Sequence, residues 1–326
     1  MVILTGGAGF IGSNTLAALN RGYGDDILVV DNIAATGKWK NLVGKPFRHY
    51  VHKSHLWSWL EQSEAVTVEA VIHLGACTDT MENDFDYLVE NNVAYSQKLW
   101  RFCTENRIPL VYASSAATYG DGRHGFSDDH DKTPVYEPIN AYGYSMHLFD
   151  LWALKQSKTP PRWYGLKFFN VYGPGESYKG RMASVASFAI PQALRSSRIR
   201  LFKSHRQGWV DGGQKRDFIF VGDIVDLILY FLEASAPSGL YNGGTGRSRS
   251  FNDLARAIFK SLKLPEKIDY FDMPETLRAS YQYFTEADTA KLAATGFKCG
   301  ALSLEQGMEQ YVKWLRDEGR RAGPPD

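Results

Sequence analysis

The feature that most restricts this chain is the glycine pattern at its start. Met1–Thr5 is a short apolar run that passes directly into Gly6-Gly7-Ala8-Gly9-Phe10-Ile11-Gly12, and a helical pattern follows over Ile11–Asn20. Strand, glycine turn and helix in that order are the context of a dinucleotide-binding fingerprint. Gly6 permits the tight turn, Gly9 lets the backbone approach a pyrophosphate, and Gly12 lets the helix pack closely, so that the first helical amides face the phosphates. The competing reading is an ordinary glycine-rich turn, which the placement between strand and helix disfavours. Asp31 closes a second apolar strand, Ile27–Asp31. An acidic side chain there accepts hydrogen bonds from the adenosine ribose, which favours NAD. Asn32, Lys38 and Lys53 lie nearby in sequence, and a lysine could neutralise a 2′-phosphate. The residues alone therefore leave NAD and NADP open.

Strand-like and helix-like segments alternate through the first half: Glu69–Leu74, Pro109–Ala113 and Trp163–Phe169 as strands, Asp84–Asn106 and Tyr142–Gln156 as helices. That pattern predicts an α/β fold, a Rossmann-like doubly wound parallel sheet over residues 1–174. Beyond Gly173-Pro174 the alternation becomes irregular, with a helix near Ala183–Leu194, a polar Gly-containing stretch His205–Lys215, a segment Pro265–Phe284 and a C-terminal helix Leu304–Asp317. Phe218–Val221 and Gly239–Asn242 are expected to return to the main sheet, within about 216–246. Residues 175–326 otherwise make a smaller substrate lobe.

Thirty-seven Lys+Arg against 36 Asp+Glu leave a net charge of +1, so no nucleic-acid partner is expected and an anionic ligand must be held by local groups. No apolar stretch approaches the roughly 18 residues that span a bilayer, and no leader precedes the first strand; a cytoplasmic protein without a membrane partner is expected. Cys77, Cys103 and Cys299 lack metal-ligand spacing and read as packing residues, with no metal site.

The chemistry lies after the fourth strand, in Ala113–Gly120 (ASSAATYG), and in Tyr142-Gly143-Tyr144-Ser145-Met146 at a helix start. Hydride chemistry at a carbinol needs a base for the hydroxyl proton and a hydroxyl to orient the substrate. Tyr142 and Ser115 fit those roles. Taken singly, a strand-end Ser is commonly a helix cap and a helix-start Tyr commonly packs; together, after a dinucleotide fingerprint, they point to catalysis.

These motifs resemble those of the extended short-chain dehydrogenase/reductases: N-terminal glycines, a strand-end Ser/Thr, and Tyr-x-x-x-Lys. Gly6–Asn14, Asn41-Leu42-Val43, Gly75-Ala76-Cys77, Asn91-Asn92, ASSAATYG, Phe169–Pro174, Lys179-Gly180 with Met182–Ala186, Arg216-Asp217-Phe218 and Tyr281-Gln282 resemble, more narrowly, the ADP-heptose 6-epimerase branch. The resemblance implies NADP-dependent inversion at C6 of an ADP-heptose or related nucleotide sugar, serving lipopolysaccharide core synthesis, in a homo-oligomer with a pentamer as one form. It implies cofactor contacts from Phe10, Ile11, Asp31, Asn32, Lys38, Lys53, Ala76, Asn91 and Val171. Substrate contacts would come from Ser115, Asn170, Arg181, Phe188, Phe202, Arg216 and Tyr281, with Arg216 suited to a diphosphate. It also casts Tyr142 and Lys179 as acid/base groups on opposite sides of the sugar.

The chain departs from that pattern in places. Arg181 and Phe188 stand where Ser and His are common, Leu74 replaces an acidic residue, and His205–Lys215 is long. Met146 stands where the lysine of Tyr-x-x-x-Lys belongs. Residues four apart share a helix face, and a cation about 4 Å from a tyrosinate is worth roughly 4 kcal/mol at an effective dielectric near 20. Methionine matches the lysine stem but supplies no charge, so binding should survive and turnover should be slow. Two further readings are kept: a UDP-hexose 4-epimerase, and a non-catalytic NADP-binding protein. A dehydratase is disfavoured, because Ala116-Ala117 occupy the place of its acidic pair.

Overall fold

The computed structural model describes residues 1–62, 67–278, 281–297 and 300–321, with side chains to residue 317. Cys299 lies outside them. Seven parallel strands form the main sheet: β1 (Val2–Thr5), β2 (Ile27–Asp31), β3 (His49–His52), β4 (Ala70–His73), β5 (Leu110–Ser115), β6 (Trp163–Phe168) and, later in the chain, β10 (Gly239–Gly243). Their order is β10-β6-β5-β4-β1-β2-β3. In between come β7 (Asn170–Tyr172), β8 (Ile199–Phe202) and β9 (Lys215–Phe220), and after them β11 (Ser248–Ser250) and β12 (Ile268–Phe271). These form a three-stranded sheet β11-β9-β7 and a two-stranded sheet β12-β8.

The central strands read as uninterrupted apolar runs because helices cover both faces of the sheet. Period-2 alternation then sorts the side chains. Val2, Leu4, Val29 and Ile72 pack with Leu16 and Leu19 of the Phe10–Tyr23 helix and Ile224 and Leu227 of the Val221–Glu233 helix. Ile3, Leu28, Val71 and Tyr112 face the other way, onto Leu99, Trp100 and Cys103 of Tyr95–Glu105 and Phe149 of Ala141–Leu154. A third core joins helices Val185–Ser196, Phe251–Leu262 and Leu304–Arg321 around Ile190, Ile258 and Met308.

Gly239–Asn242 returns to the main sheet as expected, its strand pairing with β6. Phe218–Val221 does not. Its strand β9 pairs instead with β7 and β11, because it has two apolar faces: Ile219 enters a main-sheet core while Phe218 and Phe220 enter the third core. The expected helix Asp84–Asn106 is interrupted by a π-turn at Val89–Ala94 between Phe85–Leu88 and Tyr95–Glu105. Among the described residues no helix is long and apolar enough to cross a membrane.

Candidate active site

Sheet order fixes where a ligand can sit. β1 lies between β2 and β4, so connections leave it in opposite directions and the carboxyl ends of the strands open a crevice there. Gly6 turns the chain with φ +68°, and a Cβ on it would meet the Leu74 and Gly75 backbone at 2.7 Å. A Cβ on Gly12 would sit 2.1 Å from the Gly6 carbonyl. Gly9 is the N-cap of the Phe10–Tyr23 helix and offers no side-chain cap, leaving the helix amides to other partners. One of them, Phe10 N–H, donates to the Tyr178 hydroxyl at 3.1 Å. The cradle fits a pyrophosphate: Gly6, Gly9, Phe10, Ile11 and Gly12 line a cavity at a helix N-terminus with no side chain on the glycines to block a close approach.

A cavity of about 940 Å³ extends from this turn along the ends of the strands. All the sequence-derived candidates line it: the fingerprint glycines with Phe10 and Ile11; Asp31, Asn32, Lys38, Lys53, Ala76, Asn91 and Val171; Ser115, Tyr142, Met146 and Lys179; and Asn170, Arg181, Phe188, Phe202, Arg216 and Tyr281. Next to the glycine turn, buried Asp31 accepts the Ala8 amide at 2.9 Å through Oδ2. Its Oδ1 takes the Asn32 amide and the Lys38 ammonium, each at 2.7 Å. Lys53 donates to Asn91 Oδ1, and Asn91 reaches the cavity from the π-turn.

Farther along the cavity Ser115 makes two contacts. It caps the Ala116–Tyr119 turn, accepting Ala117 N–H at 3.1 Å, and it hydrogen-bonds Tyr142. Asn140 caps the helix carrying Tyr142 by accepting Gly143 N–H at 2.7 Å. Gly143 lets that helix lie against the Ser115 turn, since a Cβ there would sit 2.7 Å from the Ala117 carbonyl. Burial raises the Tyr142 pKa, the Ser115 hydrogen bond opposes this, and Cys77 and Asp150 raise it further. Met146, 5 % exposed, fills the neighbouring place on the same helix face. Lys179 comes from the turn Ser177–Met182, with Nζ 5.9 Å from the Phe10 ring centroid. Burial lowers its pKa and Glu176 pulls it back up.

Arg216 is 6 % exposed. It donates to the carbonyls of Lys215 and Gln282 and lies over the rings of Tyr281, at 5.1 Å, and Phe251, at 5.7 Å. Among the described residues no carboxylate pairs with it. A buried guanidinium on a cavity wall has the charge and donor geometry that suit an anion. Arg181 and Phe188 stand at the rim, 70 % and 50 % exposed, Arg181 paired with Asp79 at 3.1 Å. The long stretch His205–Lys215 is pinned behind the cavity: the Tyr283 hydroxyl accepts the His205 amide at 2.9 Å, and Asp211 accepts the Ser204 amide at 2.8 Å.

Sequence reasoning missed Glu176, Tyr178, Arg200, Phe251 and Phe271, which also line the cavity. Of these only Tyr178 and Glu176 carried a signal, their closeness to Lys179.

The fold and this cavity define an enzyme of the nicotinamide-dinucleotide class with room beside the cofactor for a second ligand. Residues 2–244 match the NAD dependent epimerase/dehydratase family, and the chain belongs to it. It is 44 % identical over 322 residues to the ADP-L-glycero-D-manno-heptose-6-epimerase of Fusobacterium nucleatum, covering 96 % of this chain and 97 % of that one. It is 45 % identical over 314 residues to the protein of the same name from Nitratidesulfovibrio vulgaris, with the same coverage. The crystal structure of the Helicobacter pylori ADP-L-glycero-D-manno-heptose-6-epimerase superposes with a TM-score of 0.82 at 25 % identity, covering 97 % of this chain and 96 % of that one.

Proposed function

We propose that the protein inverts C6 of the heptose in an ADP-D-glycero-heptose, giving the L-glycero form for lipopolysaccharide core synthesis, and does so slowly because Met146 leaves Tyr142 without its cation. One observation carries the reading: two proton-handling groups from separate segments, Tyr142 from a helix start and Lys179 from the turn after β7, line one cavity with an unpaired Arg216. The relatives' names supply the sugar and the base. A dinucleotide held by the glycine turn and Asp31 would supply the hydride acceptor and donor for inversion at C6. The chain's own part is to hold the diphosphate at Arg216, orient the hydroxyl with Ser115, and move its proton with Tyr142 for one epimer and Lys179 for the other. Two groups are needed because inversion presents the hydroxyl on opposite sides.

NADP is the cofactor of this reading. Lys38 neutralises Asp31, removing the anion that would repel a 2′-phosphate and placing an ammonium beside it. We assign the cofactor to residues 1–174 with the later returning strand and the substrate chiefly to 175–326, in a cytoplasmic homo-oligomer, the pentamer being the form expected. A substrate deuterated at C6 tests the function: the label stays at C6 through conversion, with no net change in bound NADP. Exchange of that label with solvent would contradict the hydride route. Interconversion of UDP-hexoses in preference to ADP-heptoses would favour the 4-epimerase reading, and ligand binding without turnover the non-catalytic one.

A further inference from the structure

Glu176 is 1 % exposed and stands at the start of the turn that carries Lys179. Its Oε1 accepts the Gly173 amide at 3.2 Å and the Ser184 hydroxyl at 2.7 Å, and its Oε2 accepts the Ser184 amide at 2.6 Å. Tyr311 of the C-terminal helix adds its hydroxyl. The backbone carbonyl of Glu176 accepts the Lys179 amide at 2.9 Å. One side chain therefore fastens the end of β7, the start of the Val185–Ser196 helix and the C-terminal helix to the turn of Lys179.

All of these partners are neutral. A buried carboxylate held by neutral donors acts strongly on the nearest ammonium, because little solvent screens it. Three titratable groups face it: Lys179 and Tyr178 from its own turn and Tyr311 from the C-terminal helix. Burial pushes the Tyr178 phenol up to about 12 and raises that of Tyr311 as well, so both stay neutral in the working range. Lys179 is the group left to respond.

We propose that Glu176 is the positioning residue of Lys179, holding the turn that presents it and setting how readily its ammonium gives up a proton. The catalytic meaning rests on the acid/base reading of Lys179 above; the coupling itself can be measured without turnover. Competitive acetylation of amines across the neutral to alkaline range, resolved peptide by peptide, reads the ionisation of Lys179 in the parent and in Glu176→Gln. The Lys179 pKa is expected to fall by about one pH unit when the charge is removed, with Lys53 unmoved. Ser184→Ala removes the hydroxyl's hydrogen bond to Glu176 but keeps the amide's and the charge, and should leave the Lys179 pKa in place. An unchanged Lys179 pKa in folded Glu176→Gln overturns the proposal. Should Glu176→Gln not fold, Lys179→Met tests the same pair from the other side. A protonated-carboxyl infrared band that is absent from the parent, appears at neutral pH in Lys179→Met and shifts in frequency when Glu176→Asp is added supports the coupling, and its absence from Lys179→Met overturns it. The pH profile of kcat should move with the Lys179 pKa while KM stays within about twofold. A labelling shift without a kcat shift would uphold the coupling and contradict the acid/base role of Lys179.

Discussion

Asp31 and His73 show how single side chains set the site from different depths. Asp31 spends one oxygen on the glycine turn and the other on Lys38. If that lysine selects the 2′-phosphate, Lys38→Met should weaken NADP binding about tenfold, roughly 1.4 kcal/mol, and leave NAD binding little changed. Calorimetric titration with each cofactor checks this, and an equal loss for both would contradict it. His73 lies behind the cavity in a directed relay: Gly75 N–H donates to Thr5 Oγ1 at 3.1 Å, the Thr5 hydroxyl faces His73 Nδ1 at 2.6 Å, His73 Nε2 meets Ser96 Oγ at 2.9 Å, and Ser96 donates to the Asn92 carbonyl at 2.7 Å. The relay needs a neutral imidazole, and burial lowers the His73 pKa to about 4. An unfolded histidine titrates near 6.5, so the unfolded chain binds the proton first. Stability from His73 is complete above about pH 6.5 and is lost as pH falls toward 4, by at most on the order of 3 kcal/mol. The stability gap between the parent and His73→Gln, from denaturant titrations, should narrow over that range; a constant gap would contradict the relay. The glycines were legible in sequence because a tight turn constrains them locally. His73 was not, since its partners lie far along the chain.

At the scale of elements, the catalytic geometry depends on how closely the Ala141–Leu154 helix lies to the end of β5. Gly143→Ala would place a methyl 2.7 Å from the Ala117 carbonyl, forcing the helix start away from Ser115. Overpacking of this kind costs about 1–3 kcal/mol, and kcat should fall at least about tenfold while cofactor binding persists. Thermal melts and steady-state kinetics check both, and an unaltered kcat would contradict the close-approach argument. The strands and helices of the first half were mostly readable from periodicity, whereas the helices Val221–Glu233 and Phe251–Leu262 went unread, and three other features show why local pattern misses or misplaces an element. β3 has exposed His49 and Tyr50 at the sheet edge, so no apolar run marked it. β9 is buried on both faces, and such a strand reads the same in either sheet. The π-turn at Val89–Ala94 hides inside a helical pattern; it gains one residue per turn there and sends Asn91 toward Lys53 while Asn92 holds Cys77 and Ser145.

The whole molecule gathers a cavity from segments that no local pattern unites. The glycine turn and Asp31 come from the first strands, Tyr142 from mid-chain, and Arg216 and Tyr281 from β9 and a late loop. Their common placement follows from the strand order, which brings the carboxyl ends of β1, β4 and β5 together beneath the third core. Burial, Cys77 and Asp150 all oppose ionisation of Tyr142, Ser115 favours it, and Met146 beside it supplies no charge. The rate of conversion of ADP-D-glycero-heptose to its L-glycero epimer, at saturating substrate, tests this account most directly when the parent is compared with Met146→Lys. Both forms should epimerise, and Met146→Lys should be faster by about a hundredfold, the lower end of a general acid–base contribution. Equal rates, or no epimerisation by either form, would contradict it.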